Sequence, residues 1–400
     1  MDALTTPSNW QRVRLGDIAE IIGGGTPSTQ ITSFWNGSIN WFTPTEIGIT
    51  KYVYKSQRTI TPLGLKKSSA KLLPIGTILL TSRASIGDCA ILKVVATTNQ
   101  GFQSLIPLEK INNEFLYYLM LTLKNKLLKL ASGSTFLEVS PNKIKNLLIP
   151  LPPLNEQIAI ANILSDLDRY LYSLRALILK KESVKKALSF ELLSQRKRLK
   201  GFNQNWQKVR LGTYKYRRGS FPQPYGNPQW YSDNGMPFVQ VYDVGENFKL
   251  TKKTKQKISK IAQPMSVFVP KNSVIITLQG TIGRVALTQY DCYCDRTILI
   301  FDNNTLNDVN KYFFVLSLFT KFEEEKRKAD GSIIKTITKQ TLKDFEILLP
   351  PLNEQIAIAN ILSDLDNEII SLKNKKRQFD NIKKALNHDL MSAKIRVLNK

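Results

Sequence analysis

The hydrophobic positions of this chain follow two kinds of pattern, and the longer kind occurs twice. After Pro153 and again after Pro351, apolar residues recur at alternating steps of four and three. This spacing is typical of a coiled-coil seam on one stripe of a helix. Each proline ends the preceding element, and Asn155 or Asn353 is expected to cap the helix that follows. The predicted seam residues are Ile160, Leu164, Leu167, Leu171, Leu174 and Ile178 in the first helix, and Ile358, Leu362, Leu365, Ile369 and Leu372 in the second.

Short runs before each long helix predict strands, because they are rich in β-branched and aromatic residues. Glycine and proline separate the runs and predict turns between them. A shorter helical segment then follows in each half. The pattern therefore predicts an α+β module, repeated once. The expected strands are 39–43, 77–82 and 89–95 in the first half and 236–241, 273–278 and 285–288 in the second, with helices at 113–130 and near 307–329.

The two halves of the chain are related by duplication. Residues 151–168 and 349–366 are identical, an unbroken run of eighteen residues. Looser matches, such as Trp10 with Trp206 and Gly133 with Gly331, lie at offsets of 196 or 198 residues. A repeat of this length exceeds the roughly 20 to 50 residues of a solenoid repeat. We therefore expect two folded modules, each followed by the same helix.

The predicted domains follow these patterns: a module at 1–152, a helix at 153–200, a second module at 201–350 and a helix at 351–400. The helices are expected to run to about Leu199 and Val397, which gives each a length of roughly 60 Å. Neither helix buries its apolar stripe alone. We therefore expect the two to pack as an antiparallel coiled coil with pseudo-two-fold symmetry. The alternative is that each helix lies on its own module.

Charge points to a polyanionic partner. The chain has 57 Lys and Arg against 32 Asp and Glu, a net charge of +25, and both modules are basic. Each Lys or Arg that contacts a phosphate releases counterions from the nucleic acid. The positive charge also speeds the association of the protein with a polyanion. A basic surface kept only for solubility is the alternative. A membrane surface is a weaker one, because no single amphipathic helix concentrates the charge beside aromatic residues.

Targeting and cysteine patterns predict a cytoplasmic protein. No apolar run approaches the roughly 18 residues of a membrane span, and the N-terminus lacks the basic and then apolar pattern of a signal sequence. Three cysteines form a sparse, odd set that fits a reducing compartment. Cys292 and Cys294 lack a second pair of ligands for a metal. We expect them to be strand residues that face the same side.

Candidate catalytic chemistry is sparse, and no catalytic or metal-binding residue is predicted. The single histidine, His388, is expected to be an exposed helix residue, and no Gly-x-x-x-x-Gly-Lys-Ser/Thr loop for nucleotide phosphates occurs. Residues 227–230, Asn-Pro-Gln-Trp, are similar to the Asn-Pro-Pro-aromatic clamp of adenine methyltransferases, but Gln229 replaces the second proline. We expect loop scaffolding there, with Trp230 in the place that Trp35 takes in the first module.

Taken in order, these marks resemble the DNA specificity subunit of a Type I restriction-modification enzyme. They are the Pro-Pro-Leu-Asn-Glu-Gln start of both helices, Ile-Leu-Ser-Asp-Leu-Asp within them, the Trp-Gln-x-Val-x-Leu-Gly start of both modules, and Ile-Gly after a strand in each. The resemblance covers the whole chain. It implies two target recognition domains, each of which reads one half of a split, asymmetric DNA site across an unread gap.

The same resemblance implies the partners. Two modification subunits would dock on the paired helices, flip an adenine and methylate its N6 with S-adenosylmethionine. Two restriction subunits with ATP and Mg-dependent activity would complete the complex, and this chain itself would hold no cofactor and catalyse nothing. Two other classes stay open: a stand-alone adenine methyltransferase, and a coiled-coil adaptor that binds no DNA.

Residues that contact DNA are expected in loops, because base edges are read by paired donors and acceptors and phosphates by Lys, Arg, Ser and backbone amides. Arg83 and Gln279 hold equivalent positions before the Ile-Gly turn and differ chemically, as two half-site readers require. Lys252–Lys257 favours phosphate contact. The candidates are Thr26, Ser28, Thr45, Lys66, Lys67, Arg83, Ser85, Gln100 and Ser134 in the first module, and Arg217, Arg218, Gln240, Lys252, Lys253, Lys255, Gln279, Thr281, Arg284, Arg296 and Lys335 in the second.

The end of the first long helix is also strongly basic. Residues 169–200 hold ten Lys or Arg against Glu182 and Glu191. A solvated face is the default interpretation of such a run. Contact of Lys185 and Lys186 with the unread DNA gap, or with an acidic groove on a modification subunit, is the alternative.

Overall fold

The computed structural model describes residues 7–133, 137–245, 247–280, 282–328 and 339–397. The chain divides into two compact units, Met1–Leu177 with Leu372–Lys400, and Ile178–Ser371. Each unit therefore contains one module, the first part of the long helix that follows that module, and the last part of the other long helix.

In the first unit, the module has two sheets and a strand pair. The five-stranded sheet has the order β2-β9-β6-β7-β4, the three-stranded sheet has the order β5-β3-β8, and β1 pairs with β10. The elements are β1 Gln11–Arg14, β2 Ala19–Gly23, β3 Trp35–Phe42, β4 Tyr52–Val53, β5 Arg58–Ile60, α1 Pro62–Lys66, β6 Ile78–Leu80, β7 Cys89–Leu92, β8 Ala96–Thr98, β9 Gln103–Pro107, α2 Asn113–Leu130, α3 Pro141–Lys145, β10 Leu148–Leu151 and α4 Leu154–Leu193.

The second unit repeats this plan with two four-stranded sheets. Their orders are β12-β19-β16-β17 and β14-β13-β18-β15, and β11 pairs with β20. The elements are β11 Gln207–Arg210, β12 Tyr216–Arg218, β13 Tyr231–Val239, β14 Gln256–Ile258, β15 Val267–Val269, β16 Val274–Thr277, β17 Val285–Leu287, β18 Cys292–Cys294, β19 Ile298–Phe301, α5 Lys311–Lys328, α6 Lys339–Lys343, β20 Glu346–Leu349 and α7 Leu352–Met391.

Matching registers show that the modules share one scaffold despite their different loops. Gln11 pairs with Leu151 across β1 and β10, and Gln207 pairs with Leu349 across β11 and β20. Each module has a matching parallel pair, β3 with β8 and β13 with β18, and the first module also pairs β4 with β7 in parallel. The α+β class is confirmed, and the duplication extends through the modules.

Each module packs its main sheet on its longer helix, α2 in the first module and α5 in the second. Asn112 caps α2, because its Oδ1 accepts from the N–H of Phe115 at 2.8 Å, and Phe115, Tyr118 and Leu119 are buried against the five-stranded sheet. The helix predicted at 113–130 is confirmed. Its counterpart begins at Lys311 rather than near 307, because Asn310 is the cap, with Oδ1 accepting from Phe313 N at 2.9 Å.

The long helices α4 and α7 begin at Leu154 and Leu352, so Asn155 and Asn353 lie inside the first turn and are not caps. The carbonyl of Pro153 accepts the first helical hydrogen bond, from Gln157 N at 3.0 Å. Asn155 is the second helical residue, and its Oδ1 accepts only from the N–H of Glu156, at 2.9 Å. The predicted asparagine caps are therefore wrong, because Pro153 and Pro351 occupy the position directly before the first helical residue.

Both helices also end earlier than predicted, at Leu193 and Met391 instead of about Leu199 and Val397. Two residues later the chain takes a positive φ, 59° at Gln195 and 59° at Ala393. This left-handed backbone cannot continue a helix. The chain therefore turns back beside its own last helical turn in both copies.

Helix pairing within each unit is antiparallel. In the first unit, Asp168 pairs with Lys383 and Glu156 with Arg396, so residues farther along α4 face residues earlier in α7. In the second unit, Asp366 pairs with Lys185 and Glu354 with Arg198. The same pairs thus form twice, each time between the start of one helix and the end of the other.

The predicted seam is buried along most of its length. Leu167, Leu365 and Leu372 are half-buried, and the other predicted seam residues are buried. Ile160 and Leu164 belong to the core of the first module, which also includes Leu390 and Met391 from the end of α7. The beginning of each helix therefore packs on its own module and on the other helix at the same time. The helix pairing and the packing of each helix on its own module, predicted as alternatives, occur together.

Two smaller expectations have opposite outcomes. Cys292 and Cys294 are both buried on one face of β18, as predicted. The match of Trp230 with Trp35 is wrong by one residue. Trp35 and Tyr231 each begin a long strand after a short 3-10 turn, and they pair with Ile60 and Ile258, respectively.

Candidate nucleic-acid interface

A buried glutamate at the start of each long helix joins that helix to the first residues of its module. Glu156 is 1% exposed. It accepts from Trp10 Nε1 at 3.1 Å and from Arg396 Nε at 2.8 Å and Nη2 at 3.1 Å. Glu354 accepts in the same way from Trp206 Nε1 at 3.2 Å and from Arg198 Nη2 at 2.7 Å. Each glutamate thus ties the start of its module to the end of the other helix.

A second pair of carboxylates holds the module helix against the long helix. Asp168 accepts from Tyr118 OH at 2.6 Å and also pairs with Lys383. Burial, reinforced by the hydrogen bond to Asp168, raises the pKa of Tyr118. Tyr312 and Lys185 contact Asp366 in the same arrangement. Each carboxylate thus joins the module helix, through a tyrosine, and the other long helix, through a lysine.

The first module adds a buried lysine to this arrangement. Lys51 Nζ donates to Tyr118 OH at 2.8 Å and to Ser165 Oγ at 2.9 Å, and it pairs with Glu114. Burial lowers the pKa of Lys51, although the Glu114 carboxylate opposes that shift. In the second module, the corresponding position beside Lys185 is taken by the ring of Phe248. The two junctions therefore differ in polarity.

The basic run at 169–200 is only partly free for a ligand. Lys185 pairs with Asp366, and Lys181 Nζ lies 2.8 Å from Glu368 Oε2. Arg198 pairs with Glu354, whereas Lys186 is exposed. The run thus serves first to pair the helices, because carboxylates of α7 hold several of its charges.

In the first module, most predicted contact residues are exposed around the ends of β6 and β8. Arg83 Nε lies 3.0 Å from Glu138 Oε2. Thr26 donates to Gln100, Thr45 shares a hydrogen bond with Thr43, and Ser85 has a positive φ of 54°. Lys66, Lys67 and Ser28 are exposed at or after short helical turns or loops, and Ser134 lies outside the described residues.

In the second module, the corresponding residues fall into three groups. Lys252, Lys253 and Lys255 form an exposed basic loop, with Lys255 Nζ 4.2 Å from the ring centre of Tyr242. Gln240 accepts from Tyr242 OH, Arg217 Nη2 donates to Phe268 O at 3.1 Å, and Arg284 Nη1 donates to Val244 O at 3.2 Å. Arg218, Gln279 and Arg296 are exposed, whereas Thr281 and Lys335 lie outside the described residues.

The structure brings two of the predicted residues together in each module. The N–H of Ser82 donates to Gly101 O at 2.8 Å, which sets Arg83 beside the turn that carries Gln100. The N–H of Leu278 donates to Thr297 O at 2.8 Å, which sets Gln279 beside the turn that carries Arg296. Sequence reasoning paired Arg83 with Gln279 but did not place either beside the second turn.

Two residues that shape these turns were missed. Asn99 and Asp295 each accept, through Oδ1, from the N–H two residues later, at 2.9 Å in both cases. Such Asx turns are a known role of Asn and Asp. The signal in the sequence was an Asn or Asp at the same place in both halves, 196 residues apart, after strands β8, which was not predicted, and β18.

Twin grooves lie beside the starts of α4 and α7. Pro153, Leu154 and Gln157 line the first, together with Gln11 and Leu108. Pro351, Leu352 and Gln355 line the second, together with Gln207 and Val309. Next to them, Leu154, Ile158, Leu352 and Ile356 are each 42% exposed. The invariant segment therefore presents the same apolar side chains twice.

Features of other functional classes are few in the part of the chain that the coordinates describe. No group of three or more His, Cys, Asp or Glu there is arranged to hold a metal ion, and no described helix has the length and hydropathy to cross a bilayer. His388 is exposed on α7. Asn227 caps a 3-10 turn through its own side chain, which accepts from Gln229 N at 3.0 Å, so the clamp-like residues form loop scaffolding.

The chain is similar throughout to known specificity subunits. It is 28% identical over 421 residues to the Type I restriction enzyme MjaIX specificity subunit of Methanocaldococcus jannaschii, covering 98% of this chain and 94% of that protein. It is 37% identical over 161 residues to the EcoR124I/EcoR124II specificity subunit of Escherichia coli, covering 38% and 40%, respectively.

Solved structures agree with this likeness. The crystal structure of the Type I restriction-modification S subunit from M. genitalium superposes with a TM-score of 0.61 at 16% identity, over 97% of both chains. The sequence profile described as "Type I restriction modification DNA specificity domain" matches residues 7–182 and 203–379. With two copies of that domain on matching scaffolds, this chain belongs to the family of Type I restriction-modification DNA specificity subunits.

Proposed function

We propose that this chain selects the DNA site of a Type I restriction-modification complex. Each target recognition domain reads one half of a bipartite, asymmetric site. The observation that carries the proposal is the contrast between matching scaffolds and different exposed side chains, as at Arg83 and Gln279. A reader of two different half-sites needs this combination, because the backbone frame must repeat while the groups that face the bases differ.

Charge supports the choice of duplex DNA as the ligand. The net charge of +25 is spread over both modules, and both have exposed pairs of lysines, Lys66 with Lys67 and Lys252 with Lys253. Phosphate contacts of this kind fix the register of a protein on DNA, and they make binding strongly dependent on salt.

The paired helices supply the spacing and the docking surface. They set the unread gap between half-sites, because each module is tied to both helices through Glu156 or Glu354. The exposed Leu154 and Ile158 recur as Leu352 and Ile356. Two copies of one partner fit two copies of one surface, so two modification subunits dock there.

Catalysis belongs to the partners in this proposal. The modification subunits bind S-adenosylmethionine and methylate adenine N6, and two restriction subunits, with ATP and Mg, join the full complex. The chain itself holds no cofactor. This division is supported by the curated relatives, which are named as specificity subunits.

A binding selection tests the proposal. The full chain, with any methyltransferase that copurifies, is incubated with a randomised duplex library, and retained sequences are read. We expect a bipartite asymmetric motif with a fixed gap, and affinity that falls steeply with salt. Retention without any motif, no DNA binding at low salt, or adenine methylation by the purified chain alone would each contradict the proposal.

A further inference from the structure

The two modules carry the same turn at the end of their parallel strand pair. Asn99 N donates to Phe42 O and Asp295 N donates to Val239 O, each at 3.0 Å. The side chains of Asn99 and Asp295 then close the turn on the residue two positions later. Because the backbone is fixed at both ends, the residue in the middle is held in one place. That residue is Gln100 in the first module and Arg296 in the second.

A glycine directly after β2 in the first module, and directly after β12 in the second, packs against each turn. A Cβ on Gly24 would lie 2.0 Å from Asn99 O, and a Cβ on Gly219 would lie 2.3 Å from Asp295 O. No side chain fits at either place, because real Cβ contacts do not come so close. The turns are therefore closely packed against the backbone of Gly24 or Gly219, while Gln100 and Arg296 are exposed.

A second backbone hydrogen bond to each turn places another long polar side chain beside the turn. Ser82 and Leu278 donate backbone hydrogen bonds to Gly101 and Thr297, respectively. The residues that follow them, Arg83 and Gln279, are exposed. The first module thus carries Arg83 beside the turn and Gln100 within it. The second module carries Gln279 beside the turn and Arg296 within it.

Arg and Gln have defined partners among bases. Arg forms two hydrogen bonds with guanine O6 and N7, and Gln forms two with adenine N6 and N7, in the major groove. Gln100 accepts a hydrogen bond from Thr26, and the contacts of the two arginines are weak. Arg83 and Glu138 form a pair that is 43% and 33% exposed, which contributes little to stability. Arg296 lies 5.3 Å from the ring centre of Tyr225, a contact that leaves its N–H groups open.

We propose that Arg83 with Gln100, and Gln279 with Arg296, are the base-reading pairs of the two half-sites, with their guanine- and adenine-reading positions exchanged between modules. This inference rests on the proposed function, because it names the residues that carry out the reading. Each half-site then contains one guanine and one adenine that face these turns, and the order differs between the halves.

Single exchanges test each turn separately. The Gln100→Arg variant should change one adenine of the first half-site to guanine, by roughly ten- to hundredfold in enrichment, and leave the second half-site unchanged. The Arg296→Gln variant should change one guanine of the second half-site to adenine and leave the first unchanged. The unaltered half-site serves as an internal control for folding and for partner binding.

A double exchange tests the pairing itself. The Arg83→Gln/Gln100→Arg variant should interchange the guanine and adenine positions within the first half-site. The Gln57→Arg variant is the matched charge control, because Gln57 is exposed in the same module and its contact with Glu46, at 2.7 Å, is made by its backbone N–H. It should keep the original preference at every position.

The outcomes separate this inference from the proposed function. If the unmodified chain selects no motif, the proposed function fails. If it selects a bipartite motif and the Gln100→Arg and Arg296→Gln variants select the same one, the function stands and the base-reading pairs are wrong. Loss of affinity without any new base preference also overturns them, since it would assign these residues to phosphate contact.

Discussion

At the scale of single residues, the junctions depend on buried carboxylates whose partners come from distant parts of the chain. Glu156 has contacts with Trp10 and Arg396, and Glu354 with Trp206 and Arg198. A buried carboxylate is stable only while it is fully paired, because removal from water costs several kcal/mol per ion. These groups are therefore expected to dominate the stability of each junction.

The Glu156→Gln variant should destabilise the first unit by about 3 kcal/mol, because it leaves the partly buried Arg396 guanidinium without its counter-charge. Urea unfolding, followed by circular dichroism, measures the change. Glu20→Gln is the control, since Glu20 is exposed on β2, and it should alter stability by less than about 0.5 kcal/mol. Equal effects of the two variants would show that the pairing is not stabilising.

The tyrosines at the junctions predict a dependence on alkaline pH. Burial and the hydrogen bond to Asp366 raise the pKa of Tyr312. A group whose pKa is raised in the folded state contributes stability below its unfolded pKa, near 10, and loses it as the pH rises further. Tyr312→Phe should flatten the fall in unfolding free energy between pH 9 and 11, by up to about 1.4 kcal/mol per pH unit.

Urea titrations at each pH provide the measurement for Tyr312. Tyr172→Phe is the control for loss of an ordinary hydroxyl, because Tyr172 is 76% exposed. An identical pH slope in the Tyr312→Phe variant and the unmodified chain would remove Tyr312 from the account.

At the scale of elements, the spacing of apolar residues predicted where the long helices lie and which face they bury. The ends of these helices were predicted wrongly, and the ion pairs near them were not predicted. Steps of four and three located α4 and α7 and their buried stripe, because packing of a helix depends on which face is apolar. Their ends could not be predicted: Gln195 and Ala393 take positive φ without being glycine. Nor did local sequence show that Arg198 and Arg396 return to the glutamates. Comparison of the repeats offered that signal, since both arginines stand at the same place in each copy.

The candidate site was predicted in part for a similar reason. Residue type and loop position suggested Arg83, Gln100, Gln279 and Arg296 separately. Their grouping depends on hydrogen bonds between strand ends that are far apart in sequence, such as Ser82 with Gly101. One chain gives no direct information on such long-range contacts.

Two adjacent lysines test the assignment of the basic run to helix pairing. Lys185→Glu should destabilise the chain by about 2 kcal/mol, because Lys185 is 19% exposed and faces the 15% exposed Asp366. Lys186→Glu is the matched control, with an expected change within about 0.5 kcal/mol, since Lys186 is exposed. Thermal and urea unfolding of both variants decide the matter, and the reverse order of effects would refute the assignment.

At the scale of the whole molecule, duplication explains why one chain carries two different readers. The repeated pairs Glu156 with Arg396 and Glu354 with Arg198 make each module interchangeable as a building block. The invariant segments at the starts of α4 and α7 repeat the same exposed apolar residues. The account therefore predicts that the modules determine the half-sites, while the helices determine the gap.

A chain that carries the first module in both positions tests this central claim most directly. Residues 201–350 are replaced by a second copy of the first module, α4 and α7 are kept, and the binding selection is repeated. The account predicts an inverted repeat of the first half-site, with the original gap. An asymmetric motif that still contains the second half-site would contradict it, since no second module would remain to read that sequence.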